Sequence, residues 1–237
     1  LDDRLSFRRF VGLGINDSTP DHSTFSVFRR KLEEEGLLEK VFEEITQQLE
    51  GKGQIIKKGT IVDATLIDSV ARKPDQNEDG TAGKSDFDKE AEWVCKGSKR
   101  YFGYKVHAAV DADTGVIRRV ILTGAKTHDG HILPKILPKE SGRVYADKAY
   151  ESKENSRVLK ENGYKNAIMN KASRRVNLNK FHHLRNKLIS KVRQRVEKTF
   201  GTFKKWYGFS RMRYQGIKRS ITQMYLVSIG FNLKKCV

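Results

Sequence analysis

The chain has 237 residues, 37% hydrophobic and 32% charged, which supports one full hydrophobic core with an appendage and excludes a wholly disordered polymer. Its net charge of +18 is unevenly placed: residues 162 to 237 hold 19 of the 47 Lys and Arg and one acidic residue, Glu197, leaving the rest of the chain balanced. Cys95 and Cys236 are too few and too far apart for a disulfide framework or a cysteine zinc site, and no apolar run approaches the ~18 residues of a membrane span. A basic block of this size points to a polyanion, nucleic acid foremost, with a solvated face or a membrane-surface patch as the plainer readings. A reducing cytoplasm is the expected setting, with association to the nucleoid and no membrane partner.

Residues 1–52 read as helical. "LSFRRFVGLG" comes first; Asp21 then stands as an N-cap for "HSTFSVFRRKLEEE", with Gly36 just past its end, and "LLEKVFEEITQQLE" follows. Arg8, Arg9, Arg29 and Arg30 allow part of a helix-turn-helix DNA-binding unit, and a packing hairpin is the alternative. The chain opens inside a helix without Met, so an upstream part of this segment is expected to be missing.

Residues 53–237 read as a second domain. "GTIVDATLID" is a strand rich in β-branched residues, and Ser69 to Ser98, with Pro74, Gly80 and Gly83, is a long polar loop. "YFGYKVHAAVDADTGVIRRVILTG" reads as a hairpin turning at "DADTG". A short helix or turn at "HDGHILPKIL" leads to a strand "GRVYADKAY", an amphipathic helix ending at Gly163, and a strand "YKNAIMN". A long helix over 179–206 and a last one over 217–233 complete an α/β order. In the long helix, Leu184, Leu188, Val192, Val196, Phe200, Phe203 and Tyr207 form the predicted buried stripe.

Two of these strands carry an acid among apolar neighbours, Asp63 and Asp147. A buried unpaired carboxylate costs several kcal/mol, so a cation between them is one solution and a strand-end turn cap is the other. Glu197 bears on that choice. Arg193 lies one turn before it and Lys204 about two turns after, on one helix face. An Arg193–Glu197 helix pair would contribute only a few tenths of a kcal/mol, whereas a metal ligand beside phosphate-binding cations gives a lone carboxylate a use. Three carboxylates suit Mg²⁺ or Mn²⁺, and two such ions ~3.5–4 Å apart can serve both oxygens of an in-line phosphoryl displacement. Asp68, Asp111, Asp113 and Asp129 read as structural, and His128 with His131 lacks partners at zinc spacing. Trp206 and Tyr207 read as core packing in preference to base stacking.

The words "GTIVDATLID", "KGSKRYFGYKVHAAVDADTGVI", "THDGHILPKIL", "VYADKAYES" and "RQRVEKTFGTFKKWYG" resemble the Asp-Asp-Glu transposases of bacterial insertion sequences, specifically the insertion sequence 5 group of the insertion sequence 4 superfamily. Arg193, Glu197 and Lys204 fit the superfamily's Tyr-x2-Arg-x3-Glu-x6-Lys signature, with Ser190 at the Tyr place. The resemblance implies a ribonuclease H-like mixed sheet flanked by helices, preceded by a small helical segment. It implies Asp63 on the first strand, Asp147 on the fourth and Glu197 on the penultimate helix as catalytic metal ligands for two Mg²⁺ or Mn²⁺ ions, with Arg193 and Lys204 on DNA phosphate. It further implies cleavage at element ends, strand transfer by a 3′-OH into target DNA, and a homodimer in the end complex. A ribonuclease H-like nuclease without strand transfer, and a domesticated or decayed DNA-binding protein without catalysis, are the competing expectations.

Overall fold

The computed structural model describes residues 4–75, 83–139, 142–172 and 177–235. Gly80 and Cys236 of the sequence reading lie outside the described residues. Two compact units divide between Leu38 and Glu39.

In the first unit, α1 (Leu5–Phe10) and α2 (His22–Glu34) form where expected. The Asp21 carboxylate accepts the Thr24 N–H at 2.7 Å, and Gly36 takes φ +63° beyond the end of α2. Helix α1 is shorter than its sequence word, and Arg8 is not available as a DNA contact. Its guanidinium donates to the carbonyls of Gly14, Ile15 and Asp17 and is buried by them. Helix α2 buries no residue, so Phe25, Val27 and Phe28 stand open.

The second unit is built on a six-stranded sheet: β1 (Gly59–Asp68), β2 (Glu92–Lys96), β3 (Lys99–Asp111), β4 (Ile117–Gly124), β5 (Gly142–Ala146) and β6 (Tyr164–Ile168). The order is β2-β3-β1-β5-β6, with β4 also on β3. Strand β1 is antiparallel to β3, with Asp63 opposite Ala108, and parallel to β5, with Val62 opposite Ala146. This is the ribonuclease H-like mixed sheet expected from the sequence. Alternation along β1 sends Val62 into one apolar layer with Val144, Ala146 and Ile168 under α4 (Leu133–Ile136) and α5 (Lys153–Glu161), and Asp63 to the other face. That second face is covered by α6 (Lys180–Trp206), and α7 (Ile217–Lys235) packs on β4. Helix α3 (Leu37–Gly51) adds a small cluster of Leu49 with Ile55 and Val116.

Three elements depart from the sequence reading. The polar loop contains β2, a partly exposed edge strand with Trp93 and Val94 paired to Phe102 and Tyr101. Strand β5 ends at Ala146, because the Asp147 side chain accepts the Lys148 N–H and turns the chain into a 3₁₀ turn over Lys148–Tyr150. Along α6 the buried stripe runs Ile189, Arg193, Val196, Phe200 and Phe203, so Leu184 and Leu188 are exposed and Val192 is half-buried. Trp206 is exposed at 69%, with the Lys205 Nζ 5.1 Å from its ring centroid, and is not core.

Two buried titratable groups tie the sheet to its surroundings. Asp88 accepts from the Tyr104 hydroxyl at 2.6 Å and from Ser69 and the Gly216 N–H, while Glu90 accepts from the Ile217 N–H at 2.8 Å. These carboxylates satisfy open donors at the start of α7, where the helix dipole favours negative charge. His107 is buried in β3, its Nε2 3.0 Å from the Thr123 hydroxyl and its Nδ1 unpartnered among the described residues. Burial pushes His107 down to about 4, helped by Lys105 and opposed by Asp129. Its neutral form is stable in the fold, whereas the unfolded ring titrates near 6.5, so this contribution is complete above 6.5 and is lost as pH falls from 6.5 towards 4. Replacing His107 by Gln should remove about 2 kcal/mol of the stability lost between pH 7 and pH 4.5. Urea unfolding of both proteins at pH 7 and pH 4.5 measures it, and an equal acid loss in the variant would contradict the assignment.

Candidate active site

Sheet order brings the first two acids together. Strands β1 and β5 are adjacent and parallel, and Val62 pairs with Ala146, so Asp63 and Asp147 are the next residues along on neighbouring chains. Asp63 remains in the strand, with its Oδ1 accepting the Ala64 N–H at 2.8 Å; Asp147 stands one residue beyond β5 as the cap of the 3₁₀ turn. Both readings of Asp147, turn cap and member of an acidic pair, therefore hold at once.

Between them lies Arg193. Its Nη2 donates to Asp63 Oδ2 at 2.8 Å and its Nη1 lies 3.8 Å from Asp147 Oδ1. The Arg193 side chain is 10% exposed, Asp63 18% and Asp147 37%, so the pair is desolvated on one side and open on the other. Burial raises the Asp63 carboxyl above its ordinary range; Arg193 pulls it down without cancelling that effect, and Asp147 pushes it up. Nη1 also meets the Met169 sulfur at 3.6 Å, and Nε is buried without a hydrogen-bond partner among the described residues.

Glu197 is one turn further along α6, exposed, and forms no ion pair among the described residues. The helix pair with Arg193 is absent because the guanidinium is directed to the aspartates. Lys204 is a further two turns on; partial burial and neighbouring Lys96 lower its pKa against the pull of Asp68. Since Arg193 reaches Asp63 while Lys204 senses Asp68, helix and strand run in the same sense, and Glu197 lies between the two cations. The structure thus gathers Asp63, Asp147 and Arg193, and leaves Glu197 and Lys204 along the same helix. Among the described residues no three acidic, His or Cys side chains are close enough to hold a metal. The two carboxylates nonetheless fit a hard cation: they are oxygen donors held close, with a positive charge already lying between them.

The remaining acids behave as turn and pair residues. Asp111 accepts from the N–H groups of Lys57, Asp113 and Thr114, and Asp129 pairs with Lys105 at 2.9 Å. His128 Nδ1 accepts the Gly130 N–H, which commits that nitrogen. One residue at the site was not singled out from sequence. Tyr150, three after Asp147, has a buried hydroxyl with no hydrogen-bond partner among the described residues. Burial raises its pKa well above normal, with Asp129, Asp63 and Asp147 adding to the rise. Its signal is the spacing in "DKAY", where a 3₁₀ turn over Lys148–Tyr150 follows the capping Asp147.

Comparison with known proteins places the chain in a family. A family model described as the transposase DDE domain matches residues 56–233, and one described as a transposase domain matches residues 1–31. A transposase for insertion sequence element IS1106 from Neisseria meningitidis serogroup B is 34% identical over 243 aligned residues, covering 98% of this chain and 82% of that protein.

Removing the guanidinium leaves two close carboxylates, one of them largely buried, without compensation. Arg193→Ala should lower stability by about 3 kcal/mol at neutral pH. The loss should shrink in acid, where the carboxyls are protonated. Chemical denaturation at pH 7 and pH 4 tests this; a cost independent of pH would mean that Arg193 acts by packing alone.

Proposed function

The chain belongs to the DDE transposases of bacterial insertion sequences, and on that premise we propose that it cuts DNA at the ends of its element and joins the freed ends to a target. Transposases of this family bind DNA, carry nuclease and transesterase activity, and generally use divalent metal ions. In the proposed reaction, water attacks the phosphorus at an element end, the P–O3′ bond breaks, and a 3′-OH and a 5′-phosphate result. The 3′-OH then attacks a target phosphodiester, forming one P–O bond as another breaks.

The observation that carries this reading is the Asp63–Arg193–Asp147 contact, in which one buried guanidinium bridges a carboxylate within β1 and one just beyond the end of the adjacent parallel β5. Asp63, Asp147 and Glu197 are the residues that would hold two Mg²⁺ or Mn²⁺ ions. Bound there, such ions would supply activation of an attacking oxygen and stabilisation of a leaving one. Arg193 holds the two aspartates together against their mutual repulsion, and when released from them it becomes a bidentate phosphate ligand; Lys204 contributes a point charge further along the backbone. The half-open exposure of Asp147 leaves room on the side from which DNA arrives. A homodimer would present two such sites to two element ends.

One observation favours a second reading, a DNA-binding protein without catalysis: Glu197 is not gathered with the aspartates. A single set of assays separates the two. With a duplex carrying the element end and Mg²⁺, wild type should nick, and Asp63→Asn, Asp147→Asn and Glu197→Gln should each lower the rate on the order of 100-fold or more while binding stays within a few-fold. Nicking by Glu197→Gln at the wild-type rate would remove that residue from the site. Cleavage that persists in EDTA would remove the metal, and binding without any cleavage by wild type would establish the second reading.

A further inference from the structure

Helix α6 carries positive charge on two faces, and only one of them serves the acidic centre. Lys191, Arg195 and Lys198 are spaced four and three apart and share a face, while Arg193, two residues before Arg195, points to the opposite side of the helix. The first three line an open cleft of about 700 Å³ together with Lys58, just before β1, and Lys235, at the end of α7. One carboxylate, Asp113 in the β3–β4 turn, shares the cleft with these five cations.

The floor is kept low by glycine at two points. A Cβ on Gly59 would lie 2.9 Å from the Tyr145 ring, and one on Gly115, at φ +75°, would lie 3.1 Å from Lys235 Nζ and 3.3 Å from Arg195 Cγ. The turn and the strand start are thus shaped so that the ring and the two cationic side chains settle against backbone.

Among the described residues, Lys58, Lys191, Arg195 and Lys198 form no ion pair. Like charges gathered in one cleft repel one another and weaken the fold, so the cluster is not explained by packing. It needs an anion. Positions 191 to 198 cover ~10 Å of helix, about the rise of three phosphates on one strand of duplex DNA at ~3.4 Å each. The cleft is open and presents no buried polar group to read a base, which matches backbone contact and not nucleotide recognition.

We propose that this cleft is a second DNA-backbone site, on the flank of α6 away from Asp63 and Asp147, which grips duplex phosphates without taking part in the chemistry. The proposal rests on the transposase reading for the identity of its ligand and extends that reading to a surface outside the catalytic centre. It assigns part of the C-terminal basic block to holding DNA at a distance from the bond that is cut.

The test is metal-free binding of a random 30-base-pair duplex, in EDTA, across a salt series. For Lys191→Ala with Lys198→Ala, the slope of log affinity against log salt should fall by about two contacts at ~0.9 each, so the ratio of wild-type to variant affinity should change roughly tenfold between 50 and 200 mM salt. Lys191→Arg with Lys198→Arg should restore the slope, since charge and not shape is at stake. An unchanged slope overturns the proposal, as does equal weakening by the alanine and arginine pairs in proteins of equal thermal stability. So does loss of binding to phosphatidylserine vesicles with DNA affinity intact, which would make the cleft a membrane patch. Catalytic failure is read separately: absence of cleavage by wild type overturns the nuclease reading, and the binding titration does not depend on it.

Discussion

The contact from Arg193 to Asp63, with Asp147 alongside, is the constraint on which the architecture of the second unit turns. A parallel pairing of β1 with β5 forces two carboxylates onto adjacent chains at the same level, and the apolar layer beneath the sheet excludes water from one side of them. Left alone, such a pair would take up a proton or loosen the pairing of β1 with β5. The guanidinium resolves this from above, at the centre of the buried stripe of α6, so docking the helix and neutralising the acids are one event. Breaking a buried pair of this kind costs on the order of 3–5 kcal/mol, comparable to the stability margin of a small domain. The burial that raises the Asp63 carboxyl is the same burial that fastens the helix.

That arrangement also gives the site two possible charge states. With Arg193 between the aspartates the centre is compact and close to neutral. Under the proposed metal-dependent reaction a divalent cation would compete for the same oxygens, and the arginine would leave them only by gaining another anion. A DNA phosphate is such an anion. Metal entry and DNA arrival would therefore be coupled, and the buried Nε of Arg193, without a hydrogen-bond partner among the described residues, marks a side chain whose hydrogen bonding is incomplete while it remains on the aspartates.

Much of this was legible in the sequence where local chemistry decides the outcome. The β-branched run of β1, the "DADTG" turn with Asp111 accepting from the Asp113 and Thr114 N–H groups, and the Asp21 cap are each fixed within a few residues. The acids at 63 and 147 stood out because charge inside an apolar strand is costly. Features that depend on distant partners were not legible. Strand β2 has only three apolar residues and owes its form to pairing with β3. Asp88 looks like any loop aspartate until Tyr104, Ser69 and Gly216 converge on it. Arg193 escaped the predicted stripe because periodicity was sought among apolar residues, although Ile189, Val196, Phe200 and Phe203 leave a gap at its position. A charged residue at a core position of a helix signals an opposite charge on the surface beneath it, and here that surface holds the aspartates.

The lone acid of the C-terminal third can now be placed against its surroundings. Every other charge on α6 is positive: Arg193 faces inward to the aspartates, Lys191, Arg195 and Lys198 line the cleft on the far flank, and Lys204 stands near Asp68. Glu197 follows Arg193 by one turn, exposed and without an ion pair among the described residues. On a helix so occupied, a free carboxylate lowers affinity for any polyanion that approaches it, and it gains nothing from the fold. The position is favourable only when a cation sits between it and the DNA. If Glu197 holds a metal as proposed, the ion would turn this unfavourable charge into an attraction for phosphate, and α6 would gain a DNA-facing surface without a change in its backbone.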